Sequence, residues 1–392
     1  MLQNLFLFSK TELILAGSAT VLFIIQILYL LVTYARPLRV AKKAAREESM
    51  TVQREQKPVS VIVYARGDAD DLRNNLPSIL TQDYPEFEVI VVNDGSDADS
   101  EDVLKLFSND YKHLYYTYVP VDTQYLSHKK LALTMGIKAA KHETLLFTEI
   151  NCRPFSPKWI ADMTARYTPE TSIRLGFCAY PYKDSFRHNL IAYDNLLNGL
   201  QYISSALGKR PYSGNGRNLS YRRELFFEQK GYSKSLNLHA GADDLFINDV
   251  ATAANTQVEF RPDSIMEMGK IVDYSIWREM KIARAVTQHY FKGNRIGFFR
   301  FETYSLFLFQ LVALASIVAG VFGNWLIAVL GGILFITRYI IKTTILRKSA
   351  LLLRQQPQSF WLPALELLLP FYNLYFLSCR TFKDKNIYTS KI

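Results

Sequence analysis

The sequence predicts an α/β fold in which helices flank a mostly parallel sheet, with transmembrane helices at the amino- and carboxyl-terminal ends. Strand-like and helix-like segments alternate from residue 58 to about residue 150, and this spacing is typical of βαβ units. Apolar runs crowd both ends of the 392-residue chain, and a mixed, charged middle lies between them. The net charge is +10, with much of the excess beside the apolar runs, as expected at a cytoplasmic membrane face.

The first apolar run predicts a retained membrane anchor. From Leu13 to about Ala35 the sequence is nearly uncharged and long enough to cross a bilayer core of about 30 Å. Basic residues follow this run instead of preceding it, which is unlike a signal peptide. We expect residues 1–36 to form an anchor with its amino terminus outside, and residues 37–57 a basic juxtamembrane linker in the cytoplasm.

Composition excludes several other classes of protein. The three cysteines, Cys152, Cys178 and Cys379, are widely spaced and form no CxxC, which argues against a disulfide framework or a structural zinc and favours a reducing compartment. No segment of the middle interleaves Lys and Arg with aromatic residues densely enough for a nucleic-acid partner.

The first two predicted strands each end in a carboxylate. PVSVIVYARGD leads to Asp68, and FEVIVVNDGS contains Asp94 at its end. Ligands of open α/β sheets bind beyond the carboxyl ends of the strands, so these carboxylates could contact a base or a ribose. Alternatively, Asp94 starts a turn or caps a helix.

A third apolar run, within LLFTEINCRPFSPKW, ends in Glu149 and Asn151. In an extended strand, residues two apart point the same way, and paired oxygen ligands suit a hard cation carrying a diphosphate. The alternative is a strand-end turn with solvated polar groups. On the preceding amphipathic helix, Lys129 or Lys130 could meet a phosphate with help from the helix N-terminus, although such lysines are often simply solvated.

Six segments in order resemble family 2 of the inverting glycosyltransferases, closest to the membrane-anchored bacterial type. They are PVSVIVYARGD, VVNDGS, KKLALTMGIKAA, LLFTEINCRP, GNGRNLSYRRELF and GADDLFIN, and the resemblance spans roughly residues 55–295. It implies a nucleotide-binding domain of GT-A fold at residues 58–270.

The resemblance also implies roles for individual residues. Nucleotide contacts would come from Ala65, Arg66, Asp68, Asp94 and Lys130, and Mg²⁺ or Mn²⁺ would bind Glu149 and Asn151. Donor and acceptor would contact Gly214, Asn215, Gly216, Arg217 and Asn218, and the general base would be in the Asp243–Asp244 pair. Lys281, Arg284 and His289 would contact the diphosphate.

Three positions depart from the family pattern. The Asp-any-Asp site reads Glu149-Ile150-Asn151, so it carries one carboxylate where two are usual. Ala242 stands where the acidic motif usually has one more carboxylate, which leaves open whether Asp243 is the base. Met280 stands where a glutamine is common. These departures motivate an alternative function, a catalytically degenerate subunit that binds a nucleotide sugar or a partner without turnover.

The rest of the chain predicts further membrane segments. We expect an amphipathic interfacial helix at 271–300, a transmembrane hairpin at 301–342, a basic cytoplasmic loop at 343–358, and a re-entrant or third membrane segment with the tail at 359–392. Arg338 falls late in its span, where it could snorkel towards the basic loop.

Together these features predict a multi-pass bacterial inner-membrane glycosyltransferase of the hexosyltransferase type, with its catalytic domain in the cytoplasm. It would move a sugar from a nucleotide-sugar donor to a lipid-linked or polysaccharide acceptor, with inversion. Two or three spans are too few for a polymer-conducting pore, which favours single addition, and too few for a transporter. A nucleotidyltransferase would need a glycine-rich basic loop after the first strand, where ARGDADD is acidic.

Overall fold

A computed structural model describes residues 8–47, 56–66, 69–95, 98–120, 127–165, 167–236, 238–356 and 361–382. Asp68, one of the predicted nucleotide contacts, lies outside these residues.

A mostly parallel sheet forms the centre of the domain that lies between the apolar ends of the chain. The strands of the described residues are β1 (Val59–Ala65), β2 (Phe87–Asn93), β3 (Leu114–Tyr118), β4 (Thr144–Glu149), β5 (Cys152–Pro154), β6 (Ile173–Leu175), β7 (Cys178–Ala179), β8 (Leu219–Arg222), β9 (Thr256–Val258) and β10 (Met266–Met268). Seven of them form one sheet in the order β3-β2-β1-β4-β8-β6-β9, in which β8 runs antiparallel to β4 and β6. β5, β10 and β7 form a small second sheet. The predicted fold class is confirmed.

The helices of the described residues cover the sheet and continue into the apolar ends. They are α1 (Lys10–Tyr29), α2 (Arg36–Glu47), α3 (Ala69–Leu80), α4 (Ala98–Asp110), α5 (His128–Ala139), α6 (Trp159–Thr164), α7 (Phe186–Leu207), α8 (Arg223–Glu228), α9 (Asp244–Val250), α10 (Tyr274–Thr287), α11 (Arg295–Phe322), α12 (Trp325–Leu352) and α13 (Leu362–Phe382). A π-helical segment, Leu30–Tyr34, joins α1 to α2.

The central strands are apolar on both faces because helices bury both sides of the sheet. Val61 of β1 lies in register between Val89 of β2 and Leu146 of β4, and all three are fully buried. The same register places Tyr64 beside Glu149, at the carboxyl ends of β1 and β4. The polar residues that follow these strands therefore meet at one edge of the sheet.

Three helical stretches in the described part of the chain are long and apolar enough to cross a membrane: Lys10–Ala44, α11 and α12. The expected boundaries differ in detail. The linker expected at 37–57 begins as helix α2, and α12 continues to Leu352, so the first part of the expected basic loop is helical. The segment from Leu362 is one helix that contains Pro370, and a re-entrant hairpin is not seen in its described residues.

Arg338 does not snorkel as expected. Its guanidinium is buried and donates to the Glu366 carboxylate of α13 at 2.6 and 3.1 Å, and Lys342 donates to the same carboxylate at 2.5 Å. Gln26 of α1 accepts from Arg338 at 2.9 Å. Arg338 stays buried because Glu366, on the neighbouring helix α13, supplies a counter-charge within the apolar region. It therefore does not need to extend towards the basic loop. We call these four residues the membrane charge cluster.

Candidate active site

A cleft opens at the sheet edge where β1 and β4 end. Tyr64 comes from β1 and Glu149 from β4, while Lys129 reaches in from the first turn of α5. Gly216 and Asp243 complete the side opposite the sheet, from the loop before β8 and from the residue that precedes α9. The cavity that these residues line measures about 10 Å³, which is room for about one water molecule.

Two cations hold the Glu149 carboxylate. Lys129 Nζ lies 2.6 Å from Glu149 Oε1, and Arg217 Nε lies 2.9 Å from Oε2. The three side chains are between 13 and 26% exposed, so water screens them little. Burial alone would raise the pKa of Glu149, but Arg217 and Lys129 outweigh it and lower the pKa to about 2. The group is therefore a cluster of one carboxylate and two cations.

Asp94 contacts two side chains beside the cleft. Its Oδ2 accepts a hydrogen bond from the Tyr64 hydroxyl at 2.7 Å, and its Oδ1 lies 2.7 Å from His128 Nδ1. Burial, and then the bond to this carboxylate, raise the pKa of the Tyr64 hydroxyl, so it remains a neutral donor. Asp94 thus orients Tyr64 and His128, and these two side-chain bonds form neither the turn nor the helix cap of the alternative.

The two acidic neighbours differ in environment. The backbone N–H of Gly216 donates to Asp243 Oδ2 at 2.7 Å, and Asp243 lines the cleft. Asp244 instead accepts from the Leu245 N–H at 2.7 Å and from the Thr287 hydroxyl at 2.6 Å, so it fastens α9 to α10. Burial and the charge of Asp243 raise the pKa of Asp244 to about 6.

Gly216 is required by a close approach. A Cβ at this position would lie 2.9 Å from Asp243 Oδ2 and 3.0 Å from its Cβ, which is closer than such atoms pack. The absence of a side chain therefore lets the backbone N–H reach the carboxylate.

Lys130 does not lie in the cleft. Its ammonium is buried and donates to the Ser235 and Leu238 carbonyl oxygens, the second at 2.9 Å, and to the Ser235 hydroxyl. Burial lowers the pKa of Lys130 to about 8. Adjacent helical residues are rotated by about 100°, so only one of the two lysines can face the cleft, and here it is Lys129.

Several other predicted contacts are not among the residues that line the cleft. Asn218 is buried and bonds the Phe177 and Ser264 carbonyl oxygens and the Trp159 indole. Asn215 Oδ1 accepts from the Arg217 N–H within their turn. The remaining positions are Gly214, which packs near Leu175 and Ile247; Ala65, a buried strand residue; Arg66, which is exposed; and His289, which is exposed beside Tyr290.

The expected metal ligands do not fit a divalent cation. Both oxygens of Glu149 are already bound by Lys129 and Arg217, and Asn151 Oδ1 accepts from the Cys152 thiol at 3.2 Å. The alternation expected between Glu149 and Asn151 fails because β4 ends at Glu149 and a turn follows. Among the described residues, no group of three His, Cys, Asp or Glu side chains could hold a metal.

A second cavity of about 230 Å³ lies between the domain and the apolar helices. Lys281 and Arg284 of α10 line this cavity instead of the cleft. Asp194, on the long buried helix α7, accepts from Lys281 Nζ and from the Trp277 indole, each at 2.8 Å. We call this second cavity the membrane-side cavity. The sequence signal for this cavity is Asp194, a carboxylate inside the long buried helix α7.

Helix α10 reaches from this cavity to the cleft. The Met280 sulfur lies 3.9 Å from Arg217 Nη2, and Thr287 bonds Asp244. Met280, which stands where a glutamine is common in the family, therefore contacts one of the two cations that hold Glu149.

Part of the chain matches a known family of proteins. Residues 60–183 match the family described as Glycosyl transferase family 2, a match that includes Lys129 and Glu149 and stops before Arg217 and Asp243. Two poly-beta-1,6-N-acetyl-D-glucosamine synthases of Staphylococcus epidermidis are 27% identical over 88 residues, which is 22% of this chain. The match spans about a fifth, 20%, of the length of these curated relatives.

One solved structure gives a similar fold. The mannosyltransferase PcManGT from Pyrobaculum calidifontis, in complex with GDP-Man and Mn²⁺, is 17% identical with a TM-score of 0.51, covering 94% of this chain and 100% of that one. Residues 1–349 of S. aureus TarS are 16% identical with a TM-score of 0.40, covering 83% and 91%. Residues 60–183 therefore match a glycosyltransferase family 2 domain, as expected from the sequence segments within that range, and the fold is similar to that of a GT-A glycosyltransferase.

Proposed function

We propose that this chain is a membrane-bound glycosyltransferase that moves one sugar from a nucleotide-sugar donor to an acceptor at the cytoplasmic face of a bacterial inner membrane, with inversion. One observation carries the proposal. The Asp243 carboxylate lines the same cleft as the cations on Glu149, at the carboxyl ends of β1 and β4. A proton acceptor and positive charge for a leaving diphosphate are the two groups that in-line displacement needs.

In this proposal Asp243 is the general base. It takes the proton of an acceptor hydroxyl, whose oxygen attacks the anomeric carbon from the side opposite the diphosphate. The Gly216 N–H holds Oδ2 at 2.7 Å and so fixes the direction of the carboxylate. Asp244 is unsuited because both of its oxygens hold α9 and α10 in place.

The membrane-side cavity supports a lipid-linked acceptor. Apolar residues such as Phe299 and Leu306 line it together with Lys281 and Arg284. The Nε atom of Arg284 is buried and has no hydrogen-bond partner among the described residues. A cation beside an apolar wall suits a phosphate attached to a lipid chain. A polysaccharide acceptor is the other candidate, since the two curated relatives are synthases of a polysaccharide.

The test is transfer from a panel of nucleotide sugars by the full chain in nanodiscs, with polyprenyl phosphate and oligosaccharide acceptors. We expect nucleoside diphosphate release that falls by about 10²-fold or more in Asp243→Asn, because general-base catalysis contributes about 10²- to 10⁴-fold. Asp249→Asn is the matched control. It makes the same substitution within α9, at a carboxylate that pairs with the largely exposed Lys292. It should retain activity within about twofold.

A second function, donor binding without turnover, is favoured by the state of Glu149, because Lys129 and Arg217 hold both oxygens of the carboxylate that the family resemblance assigns to the metal. The same assay decides between the two. Donor binding with no release on any acceptor would support the binding function, and an Asp243→Asn variant as active as wild type would contradict the assigned base.

A further inference from the structure

We propose that Lys129 and Arg217 take the place of a divalent cation in this chain, so that they neutralise the donor diphosphate without Mg²⁺ or Mn²⁺. This inference rests on the proposed transferase function, and it assigns the charge-neutralising groups of that site.

The first argument is the state of the carboxylate. Glu149 ends β4, where an incoming metal would need it, but Lys129 lies 2.6 Å from one oxygen and Arg217 2.9 Å from the other. A divalent ion would have to displace both cations and then remain beside them. Like charges in a site that is largely shielded from water repel strongly, so the site disfavours the ion.

The second argument is the lack of a second ligand. The Asn151 side chain is engaged by the Cys152 thiol, and its backbone carbonyl accepts from Gly269 at 2.6 Å. Asp243, the other carboxylate of the cleft, accepts the Gly216 N–H with Oδ2. Two cations therefore stand against the two carboxylates of the cleft, and among the described residues no group of three His, Cys, Asp or Glu side chains could hold a metal.

The third argument is that the two cations suit a diphosphate. Arg217 presents a planar guanidinium that can bind two oxygens at once, and Lys129 presents a compact charge at the N-terminal turn of α5. That helix end adds positive potential. Lys129 also lies 5.9 Å from the centre of the Tyr64 ring, so the positive charge is in the cleft before any donor arrives.

The transfer step then balances without a metal. The acceptor oxygen forms a bond to the anomeric carbon, and the bond from that carbon to the diphosphate oxygen breaks. The diphosphate leaves with the electron pair, and its added negative charge lies against Arg217 and Lys129. The hydroxyl proton goes to Asp243.

Glu149 has a defined part in this arrangement. It holds the two cations in position while the cleft is empty, and the donor diphosphate competes with it for them. Replacing Glu149 by glutamine should therefore leave diphosphate binding unchanged or tighter. If Glu149 were a metal ligand, the same substitution would abolish metal-dependent binding, so the two roles predict effects of opposite sign.

The experiment measures binding of UDP, GDP, ADP, CDP and dTDP to the full chain in detergent by calorimetry, in EDTA and in Mn²⁺. We expect at least one nucleotide to bind with affinities that agree within about twofold in the two buffers. Lys129→Gln and Arg217→Gln should each weaken binding about tenfold or more, because each removes a charge partner that water screens little. Lys129→Arg should retain binding, and Glu149→Gln should bind as well as wild type or better.

Lys105→Gln is the matched control, since Lys105 forms an exposed lysine–glutamate pair with Glu101 and should not affect binding. Thermal unfolding of each variant separates loss of charge from loss of fold. Binding that Mn²⁺ tightens about tenfold or more would overturn the inference, as would a Glu149→Gln variant that no longer binds, or the absence of binding to any of the five nucleotides.

Turnover separates this inference from the proposed function. Transfer that needs Mn²⁺ would overturn the role of the two cations and leave the transferase standing. Binding in EDTA that depends on Arg217, without transfer to any acceptor, would overturn the transferase and support the cations.

Discussion

Replacing Glu149 by glutamine should destabilise the domain at neutral pH by about 3 kcal/mol. The two cations lower the pKa of Glu149 to about 2 from its ordinary 4.5, and each pH unit of such a difference corresponds to about 1.4 kcal/mol. The side chain is 13% exposed, so solvent screening reduces this figure little. The variant would leave Lys129 and Arg217 facing each other without the carboxylate between them.

The sign of the pH dependence follows from the lowered pKa. The carboxylate contributes its full stability above pH 4.5, and the contribution is lost as the pH falls from 4.5 towards 2. Between pH 5 and pH 3 the wild type should therefore lose about 2 kcal/mol that the Glu149→Gln variant does not lose.

The measurement is urea unfolding of the detergent-solubilised chain, followed by tryptophan fluorescence at pH 7, 5, 4 and 3. Glu101→Gln is the control, because it makes the same substitution in an exposed pair with Lys105 and should leave stability unchanged at every pH. Equal stability of wild type and Glu149→Gln at pH 7, or parallel losses between pH 5 and 3, would refute the assigned ion pairs.

Two further predictions concern the residues around the base. The pKa of Asp244 is raised to about 6 from an ordinary 3.8, so the stability of the wild type should fall as the pH rises from 3.8 to 6. In unfolding experiments Asp244→Asn should lack this fall, and above pH 6 it should be up to about 3 kcal/mol more stable than wild type, reduced by the loss of one hydrogen bond. A fall of the same size in the variant would contradict the assignment. Gly216→Ala should displace Asp243 and reduce turnover about 10²-fold, since its Cβ would lie 2.9 Å from Oδ2, whereas Gly332→Ala, where no atom lies within 4 Å, should leave turnover unchanged; equal turnover in both would count against the close approach.

The central strands and the edge at which they end could be predicted from the sequence. Short runs of β-branched apolar residues favour strands, and they are typical of parallel sheets that are buried on both faces. The expectation that Glu149, Gly216, Arg217 and Asp243 share one site came from the family resemblance. Their contacts did not. Which ion pairs form depends on the rotation of α5 and on the loop before β8, and neither leaves a periodic signal.

The errors at single residues have local causes. Alternation between Glu149 and Asn151 assumed that β4 continued, but the strand stops at the first of them. Lys129 and Lys130 are adjacent and identical in type, so the sequence does not distinguish them. The packing of α5 against the segment around Ser235 buries Lys130 and leaves Lys129 in the cleft. The position of Arg338 late in its span suggests snorkelling, but its partner Glu366 lies 28 residues later, in another helix, where local sequence does not reveal it.

The membrane charge cluster has a consequence for biosynthesis. Arg338 and Lys342 are made before Glu366, so for a time α12 carries these two cations without the carboxylate that bonds both of them in the completed protein. A cation that lacks its hydrogen-bonded counter-charge is costly at the centre of a bilayer, whereas in the completed cluster Glu366 of α13 and Gln26 of α1 both bond the Arg338 guanidinium. We therefore expect the hairpin of α11 and α12 to reach its final depth only when α13 docks, which makes the last helix the step that completes insertion.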